Sequence, residues 1–385
     1  MGSAALVSSM SGPLAPEAPL SETPLSAPIG ATSRGPAAGL PGSYLVLETT
    51  NTCSLACVHC SVSEAGHPHH ARTGFLPLPT ADAVFADLRA VGARFDTLVL
   101  FWLGEPLVHP AFGPIYQAAL RTASAGVFKK VELHTNATHL TAEKVRVALN
   151  LAPVPQVWHL SLDAATRETY RRVKGADRFG AVEANVLGFL DAKAARGARW
   201  PRPVFQFIVS ENNAREVATF RARWEAACRA RGLPVRSAAQ HVPPGEDAVV
   251  FFRQLDCPTP EEQARQNTVF RRVMAAEGLP LPREDRSPTA LGAENAGVCA
   301  AFWKSPVIGW DGTVTTCTRD NRFQNALGNV ADTPFSTLWW GPEMAERRRR
   351  VARVDYAGLS VCASCFIPRS ANASDITTDE IEAHG

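Results

Sequence analysis

No apolar run in this 385-residue chain reaches the roughly 18 residues needed to span a bilayer. An excess of one charge is also missing. Lys and Arg number 39 against 37 Asp and Glu, a formal net charge of +2, so neither a nucleic-acid nor a membrane partner is expected. The run Arg347-Arg348-Arg349-Arg350 follows a helical stretch and reads as its solvated face. No basic head and apolar core open the chain, which excludes a secretory signal. Residues 1–43, rich in Ala, Pro, Ser and Gly, read as a disordered leader, and 369–385 as a flexible tail. Without an export signal, the nine cysteines read poorly as disulfides. Seven of them fall into two groups with metal-ligand spacing, and a reducing cytoplasm is expected.

One further lack is the most informative. Cys53, Cys57 and Cys60 stand in Thr-Cys-Ser-Leu-Ala-Cys-Val-His-Cys, and this loop has no fourth cysteine. Three thiolates can hold three irons of a [4Fe–4S] cube and leave the fourth iron open, whereas an electron-transfer cluster is closed by four. Something is expected to bind and react at the open iron.

From Tyr44 onward, short apolar runs alternate with amphipathic stretches, the pattern of repeated βα units. Strands are expected at 44–50, 97–101, 130–134, 157–162, 204–209 and, less distinctly, 235–239. Helices are expected at 81–91, with Thr80 as N-cap, and at 111–125, 142–149, 179–194 and 214–231. The fold class is therefore α/β, a partial (β/α)6-type barrel over 44–240. In such barrels the chemistry sits at the C-terminal strand ends. Residues 241–298, rich in Pro, Glu and Arg with one helical stretch at 260–276, read as a linker or insertion able to cover the active site. Residues 299–368 carry the second cysteine group, Cys299, Cys317, Cys362 and Cys365. There Gly309-Trp310-Asp311-Gly312 reads as the turn of a β-hairpin, followed by a helical stretch at 335–353.

The spacing Cys-x3-Cys-x2-Cys resembles the signature of the radical SAM enzymes. In that family the open iron is chelated by the amino and carboxylate groups of S-adenosylmethionine (SAM). Leu103-Gly104-Glu105-Pro106 follows the second strand, where the family carries a Gly-Gly-Glu-Pro element that binds the methionine amino group. The resemblance implies cofactor contacts for Gly104, Glu105 and Pro106, with Leu103 departing from the pattern. His134-Thr135-Asn136 ends the third strand and resembles the family's Thr-Asn-Gly segment. Ser161-Leu162-Asp163 ends the fourth strand like its Ser-x-Asp element, and Gln206 and Ser210 flank the fifth strand's end. Asn136, Ser161, Asp163 and Gln206 are the implied cofactor-side residues.

The second cysteine group resembles the SPASM/twitch extension of the same family. Four cysteines match the shorter twitch form with one auxiliary [4Fe–4S] cluster, closed and suited to electron transfer. Read from the residues alone, four cysteines are equally the ligand set of a structural zinc ion. The gaps around Gly312 and Cys362 resemble the butirosin-type aminocyclitol dehydrogenase subgroup.

The resemblance implies reductive cleavage of SAM, hydrogen abstraction by a 5′-deoxyadenosyl radical, and oxidation of a small polyol-like metabolite such as a sugar, aminocyclitol or nucleoside. An external electron donor such as flavodoxin or ferredoxin is implied as partner. An epimerase or a peptide maturase, and a non-catalytic metal-binding module, are the alternatives. His134, Lys174 and Arg172 are candidate proton acceptors or orienters; Lys174 stands where relatives carry Arg. Cys257 is a candidate hydrogen-atom donor, while Cys228, among helical alanines, reads as a buried hydrophobe. His67, His69 and His70 read as an exposed, flexible segment.

Overall fold

The computed structural model describes residues 40, 42–63, 67–149, 154–257, 259–281 and 297–365, with the isolated positions 376 and 381. The expected leader, apart from residues 40, 42 and 43, lies outside the described residues. So does the expected tail, apart from 376 and 381.

The sheet is built from β1 (Tyr44–Leu47), β2 (Phe95–Leu100), β3 (Phe128–Thr135), β4 (Gln156–Ser161), β5 (Arg202–Val209), β6 (Val235–Ala239) and β7 (Ala248–Gln254). Three short strands complete it: β8 (Val307–Ile308), β9 (Thr313–Thr315) and β10 (Gly328–Asn329). The order is β10-β9-β8-β1-β2-β3-β4-β5-β7-β6. Pairing is parallel from β8 through β6, and only the β8–β9–β10 meander is antiparallel.

Helices α1 (Leu78–Ala90), α2 (Phe112–Ser124), α3 (Ala142–Leu149), α4 (Arg167–Lys174), α5 (Phe179–Ala195) and α6 (Val217–Arg229) alternate with these strands. Then follow α7 (Pro260–Ala276), α8 (Ala301–Lys304), α9 (Phe335–Trp340), α10 (Pro342–Ala352) and α11 (Ser360–Ser364).

Alternation along each strand decides which residues meet the helices. Val131, Leu133, Trp158, Leu160, Phe205 and Phe207 are fully buried in one core with Phe85, Ile115, Phe189 and Phe220 of the helices. Each such side chain contributes about 1.5–3 kcal/mol on burial. The opposite face carries Lys130, Glu132 and His134 on β3 and His159 on β4, and it is this face that lines the central cavity.

Several expectations are corrected. The stretch 241–298 contains β7, which inserts between β5 and β6 as a full member of the sheet. The chain returns from β6 to β7 through residues 240–247 without a helix, and the Arg202 guanidinium anchors this strap on the carbonyls of Asp247 and Pro243 at 2.6 and 2.8 Å. Thr80 lies inside α1, whose N-cap is Pro77, because Pro79 suits the first turn. The helix expected over 335–353 breaks at Gly341-Pro342, since proline has no N–H to continue it and a Cβ at Gly341 would lie 2.1 Å from the Thr337 carbonyl oxygen.

Arg348 is buried, not solvated. Its Nε donates to the Phe302 carbonyl at 2.9 Å and its guanidinium lies 5.0 Å over the Trp339 ring. His67 is likewise buried and caps the short 3-10 turn Pro68–His70 through its Nδ1. Cys228 is fully buried on α6, as expected.

Candidate active site

The cysteine loop leaves β1 and is pinned from two sides. The amides of Ala56 and Val58 donate to the carbonyls of Lys174 and Val173 at the C-terminal end of α4, at 3.3 and 3.0 Å. That helix ends at Gly175, whose φ of +71° is left-handed and whose Cβ position lies 2.4 Å from the Ala56 carbonyl oxygen. On the other side Gly104 packs against the backbone of the same loop, and a Cβ there would lie 2.2 Å from the Thr50 carbonyl oxygen. Only glycine permits either approach.

Glu105 is buried just after that contact. Its carboxylate accepts hydrogen bonds from Thr135 Oγ1 at 2.6 Å, the Asn136 amide at 2.6 Å and the Leu107 amide at 3.0 Å. Burial raises its pKa while these donors oppose the shift. Glu105 thereby ties the end of β2 to the end of β3, and Pro106 opens the 3-10 turn that follows it. Asn136 is left with its Nδ2 at 3.6 Å from Cys53 Sγ. Ser161 Oγ accepts from Gln206 Nε2 at 3.2 Å, closing the adjacent strand ends.

Asp163 is fully buried. Its Oδ1 accepts the Ile208 amide at 2.7 Å, and its Oδ2 pairs with Lys174 and lies 3.7 Å from His59 Nε2. Gly104, Glu105, Pro106, Asn136 and Asp163 are thus drawn to the rim of the cysteine loop, with Ser161 and Gln206 beside them.

Two proposed proton acceptors are displaced by this arrangement. Burial works against the Lys174 ammonium, but the charges of Asp163 and Cys57 outweigh it and hold its pKa above the ordinary lysine value. A locked cation of this kind cannot accept a proton. Arg172 faces solvent on α4, bonded to Thr169 Oγ1 at 3.0 Å and the Asn212 carbonyl at 2.8 Å. Cys257 is also misplaced as a hydrogen donor. It is buried, its amide donates to Gln263 Oε1 at 2.9 Å, and it is not among the residues that line the cavity.

His134 lines a cavity of about 950 Å³ on the inner face of the sheet. Its ring stacks between Phe101 at 5.2 Å and His159 at 4.1 Å. Glu132, two residues earlier on the same face, puts its Oε2 at 3.6 Å from His134 Nε2 and 3.9 Å from His159 Nε2, while Lys130 Nζ holds Oε1 at 2.6 Å. Burial alone would raise the Glu132 pKa, but the close contact with His134 and the charge of Lys130 hold it far below the usual carboxylate range. Burial, with the His134 charge, drives His159 well below the ordinary imidazole value.

Sequence reasoning missed Glu132 and His159. For Glu132 the signal was present in Lys130, Glu132 and His134, polar residues at a period of two in β3; His159 joins them only through the β3–β4 register.

All four later cysteines line the same cavity as His134 and Gln206. Cys299 precedes α8, Cys317 follows β9, and Cys362 and Cys365 lie on and just after α11. Burial raises the Cys299 and Cys362 thiols to about 12, and the other cysteine charges of the group add to it. Buried thiols of this kind become thiolates only beside a cationic group. Asn325 adds a donor, with Nδ2 at 3.5 Å from Cys362 Sγ.

A lone zinc ion does not fit either cysteine group. Zinc–sulfur bonds of about 2.3 Å would hold all the sulfurs close together. Among the described residues, only Glu132, His134 and His159 have potential ligand atoms all within 4.8 Å of one another. The cysteine sets are spread more widely than that. In the first loop burial lifts Cys53 to about 11, with the charges of Glu105, Cys57 and Cys60 acting in the same direction, and three thiols leave one position for an outside ligand.

Comparison with known proteins agrees with this division. Residues 47–193 match the family model of the radical SAM superfamily, and residues 299–366 match that of an iron-sulfur cluster-binding domain, SPASM. No curated protein matches the chain. Among solved structures, SuiB of Streptococcus suis bound to S-adenosylmethionine is 13% identical with a TM-score of 0.52, over 78% of this chain and 66% of that one. This chain therefore spans just under two thirds of the length of SuiB. The anSMEcpe structure with bound AdoMet is 15% identical with a TM-score of 0.51, covering 81% and 84%. BtrN in complex with AdoMet and 2-DOIA is 12% identical with a TM-score of 0.46, covering 85% and 94%. At these identities the likeness is one of fold.

Proposed function

Because the chain belongs to the radical SAM superfamily and carries a C-terminal SPASM domain, we propose that it oxidises a small polyol-like metabolite such as a sugar, aminocyclitol or nucleoside. Its cofactors are [4Fe–4S] clusters and SAM. When bound, they supply a carbon-centred radical able to remove a hydrogen atom from an unactivated carbon, and a sink for one further electron.

The protein's own part is positioning and proton handling. Cys53, Cys57 and Cys60 would hold the first cluster, with Gly104, Glu105, Pro106, Asn136, Ser161, Asp163 and Gln206 shaping the SAM side. Cys299, Cys317, Cys362 and Cys365 would hold the auxiliary cluster. The substrate occupies the cavity lined by the auxiliary cysteines, with its hydroxyl against Glu132, His134 and His159. Losing a hydrogen atom from carbon and an electron to the sink leaves one hydroxyl proton to remove, and the His134 imidazole is the acceptor within reach. An external donor such as flavodoxin or ferredoxin would supply the initiating electron.

One observation carries this reading: the four auxiliary cysteines stand in the wall of the same cavity as His134 and Gln206. Its volume is that of a small-molecule site, for which about 300–1,000 Å³ is usual. Modification of a peptide is the second reading, since SuiB has been solved with precursor peptide SuiA and anSMEcpe with the Cp18Cys peptide.

The test is anaerobic turnover of the reduced holoenzyme with SAM and a panel of sugars, aminocyclitols and nucleosides, followed by mass spectrometry. The expected product has lost two hydrogens and forms in step with 5′-deoxyadenosine. Replacing Cys317 and Cys362 with Ser should abolish that product while SAM cleavage persists. Undiminished product in this variant would defeat the proposal.

A further inference from the structure

We infer that Glu132, His134 and His159 form a divalent-metal site inside the barrel, separate from both cysteine groups, which takes a hydroxyl group of the substrate as a further ligand.

The placement follows from register. His134 and His159 are directly paired neighbours on β3 and β4, and Glu132 precedes His134 by two residues, on the same face of β3. Two imidazoles and one carboxylate therefore converge from adjacent strands, with donor atoms all within 4.8 Å of one another. Glu132 Oε2 lies 3.6 Å from His134 Nε2 and 3.9 Å from His159 Nε2. Ligand atoms around a tetrahedral ion with bonds of 2.0–2.1 Å stand roughly 3.3 Å apart, so binding draws the donors in and turns one imidazole out of the parallel stack to aim its in-plane lone pair at the ion. Two His and one carboxylate suit zinc or another imidazole-preferring first-row ion, with a position left open.

Within this geometry the histidine nitrogens are incompletely satisfied: His134 Nε2 has only the Glu132 carboxylate 3.6 Å away, and His159, only 6% exposed, keeps its Nδ1 buried without a hydrogen bond. Buried polar atoms are normally satisfied, and each one that is not carries a cost. His134 stacks on Phe101 and on His159, whose other contact is the Phe251 ring at 6.3 Å. Lys130 orients the carboxylate from outside through Oε1, leaving Oε2 free, which is how hydrogen bonds around a metal site commonly fix its ligands.

The open position faces the cavity. A substrate hydroxyl bound there would be made more acidic by the cation and, with His134 and Glu132 taken up as ligands, would release its proton to solvent instead of to His134. This use of the ion rests on the proposed oxidation of a hydroxyl-bearing substrate; the presence of the ion does not.

The test therefore uses neither substrate nor SAM. Holoenzyme carrying its iron and sulfide is purified anaerobically, equilibrated with zinc chloride, desalted and analysed for metals. The wild type is expected to retain about one zinc per chain beyond its iron. Glu132→Gln and His159→Ala should each retain at least about tenfold less, with iron and sulfide unchanged, as expected for loss of a ligand or its support. Glu132→Gln serves if His159→Ala fails to fold. A wild type that retains no zinc above the desalting background overturns the inference. So do variants that retain as much as the wild type, since the ion would then reside elsewhere.

Discussion

Glu48 joins Trp310 across 262 positions of sequence, its Oε2 accepting the Trp310 amide at 3.2 Å while its Oε1 accepts the Leu103 amide at 3.0 Å. One buried carboxyl thus holds together the loop that carries Gly104 and Glu105 and the hairpin turn that precedes Cys317. The Trp310 ring then fills the space over Gly74, where a Cβ would lie 2.1 Å from it, and Arg72 stacks on the same ring at 5.5 Å.

Glu48 makes stability depend on pH in an unusual window. Burial raises its pKa from 4.5 to about 7, against the two amide donors. A carboxyl whose pKa is raised on folding contributes stability that is full below its unfolded value and is lost as pH rises through its folded value. That contribution is on the order of 3 kcal/mol. Glu48→Gln should cost about 1–2 kcal/mol at pH 5 through a lost hydrogen bond. The gap in melting temperature between wild type and variant should close and then reverse from pH 5 to pH 8, leaving Glu48→Gln the more stable. A constant gap would show that Glu48 does not titrate in this range.

Gly104 tests the close approach behind the cofactor rim. Gly104→Ala places a methyl group against the Thr50 carbonyl and should cost at least about 2 kcal/mol. It should also lower the iron retained by the first cysteine loop. Gly188→Ala, within α5 where nothing lies within 4 Å of the added carbon, should instead stabilise by up to about 1 kcal/mol. Thermal unfolding of the two variants checks the contrast.

Asp163 and Lys174 are each other's charge partner under the cysteine loop. Lys174→Met strands a buried carboxylate and should destabilise by about 3–5 kcal/mol. Asp163→Asn should do comparable damage. The double variant should cost clearly less than the two singles together, because neither charge is then left alone. Additive losses in a denaturant series would show the pair to be uncoupled.

Much of this was legible before the fold was known, and the gaps have physical reasons. Cys53, Cys57, Cys60 and Gly104 were legible because local spacing and an obligatory glycine leave marks in the chain itself. Strand β7 was hidden because residues 240–247 return without a helix, so the usual alternation offers no cue. Glu132 and His159 were missed since they converge only through the β3–β4 register. Lys174 and Arg172 looked interchangeable along the chain, yet α4 turns one into the interior and the other to solvent. Arg348 belonged to a run that reads as solvated, and only tertiary packing buries one member of it.

The account stands most directly on SAM cleavage at the first cysteine loop. Anaerobically purified, dithionite-reduced protein incubated with SAM should form 5′-deoxyadenosine, measured by chromatography. The Cys53→Ala/Cys57→Ala/Cys60→Ala variant should form none while keeping about half of the wild-type iron, since the auxiliary cysteines are untouched. Wild-type protein with its full iron that yields no 5′-deoxyadenosine, or a triple variant that still yields it, would contradict the account.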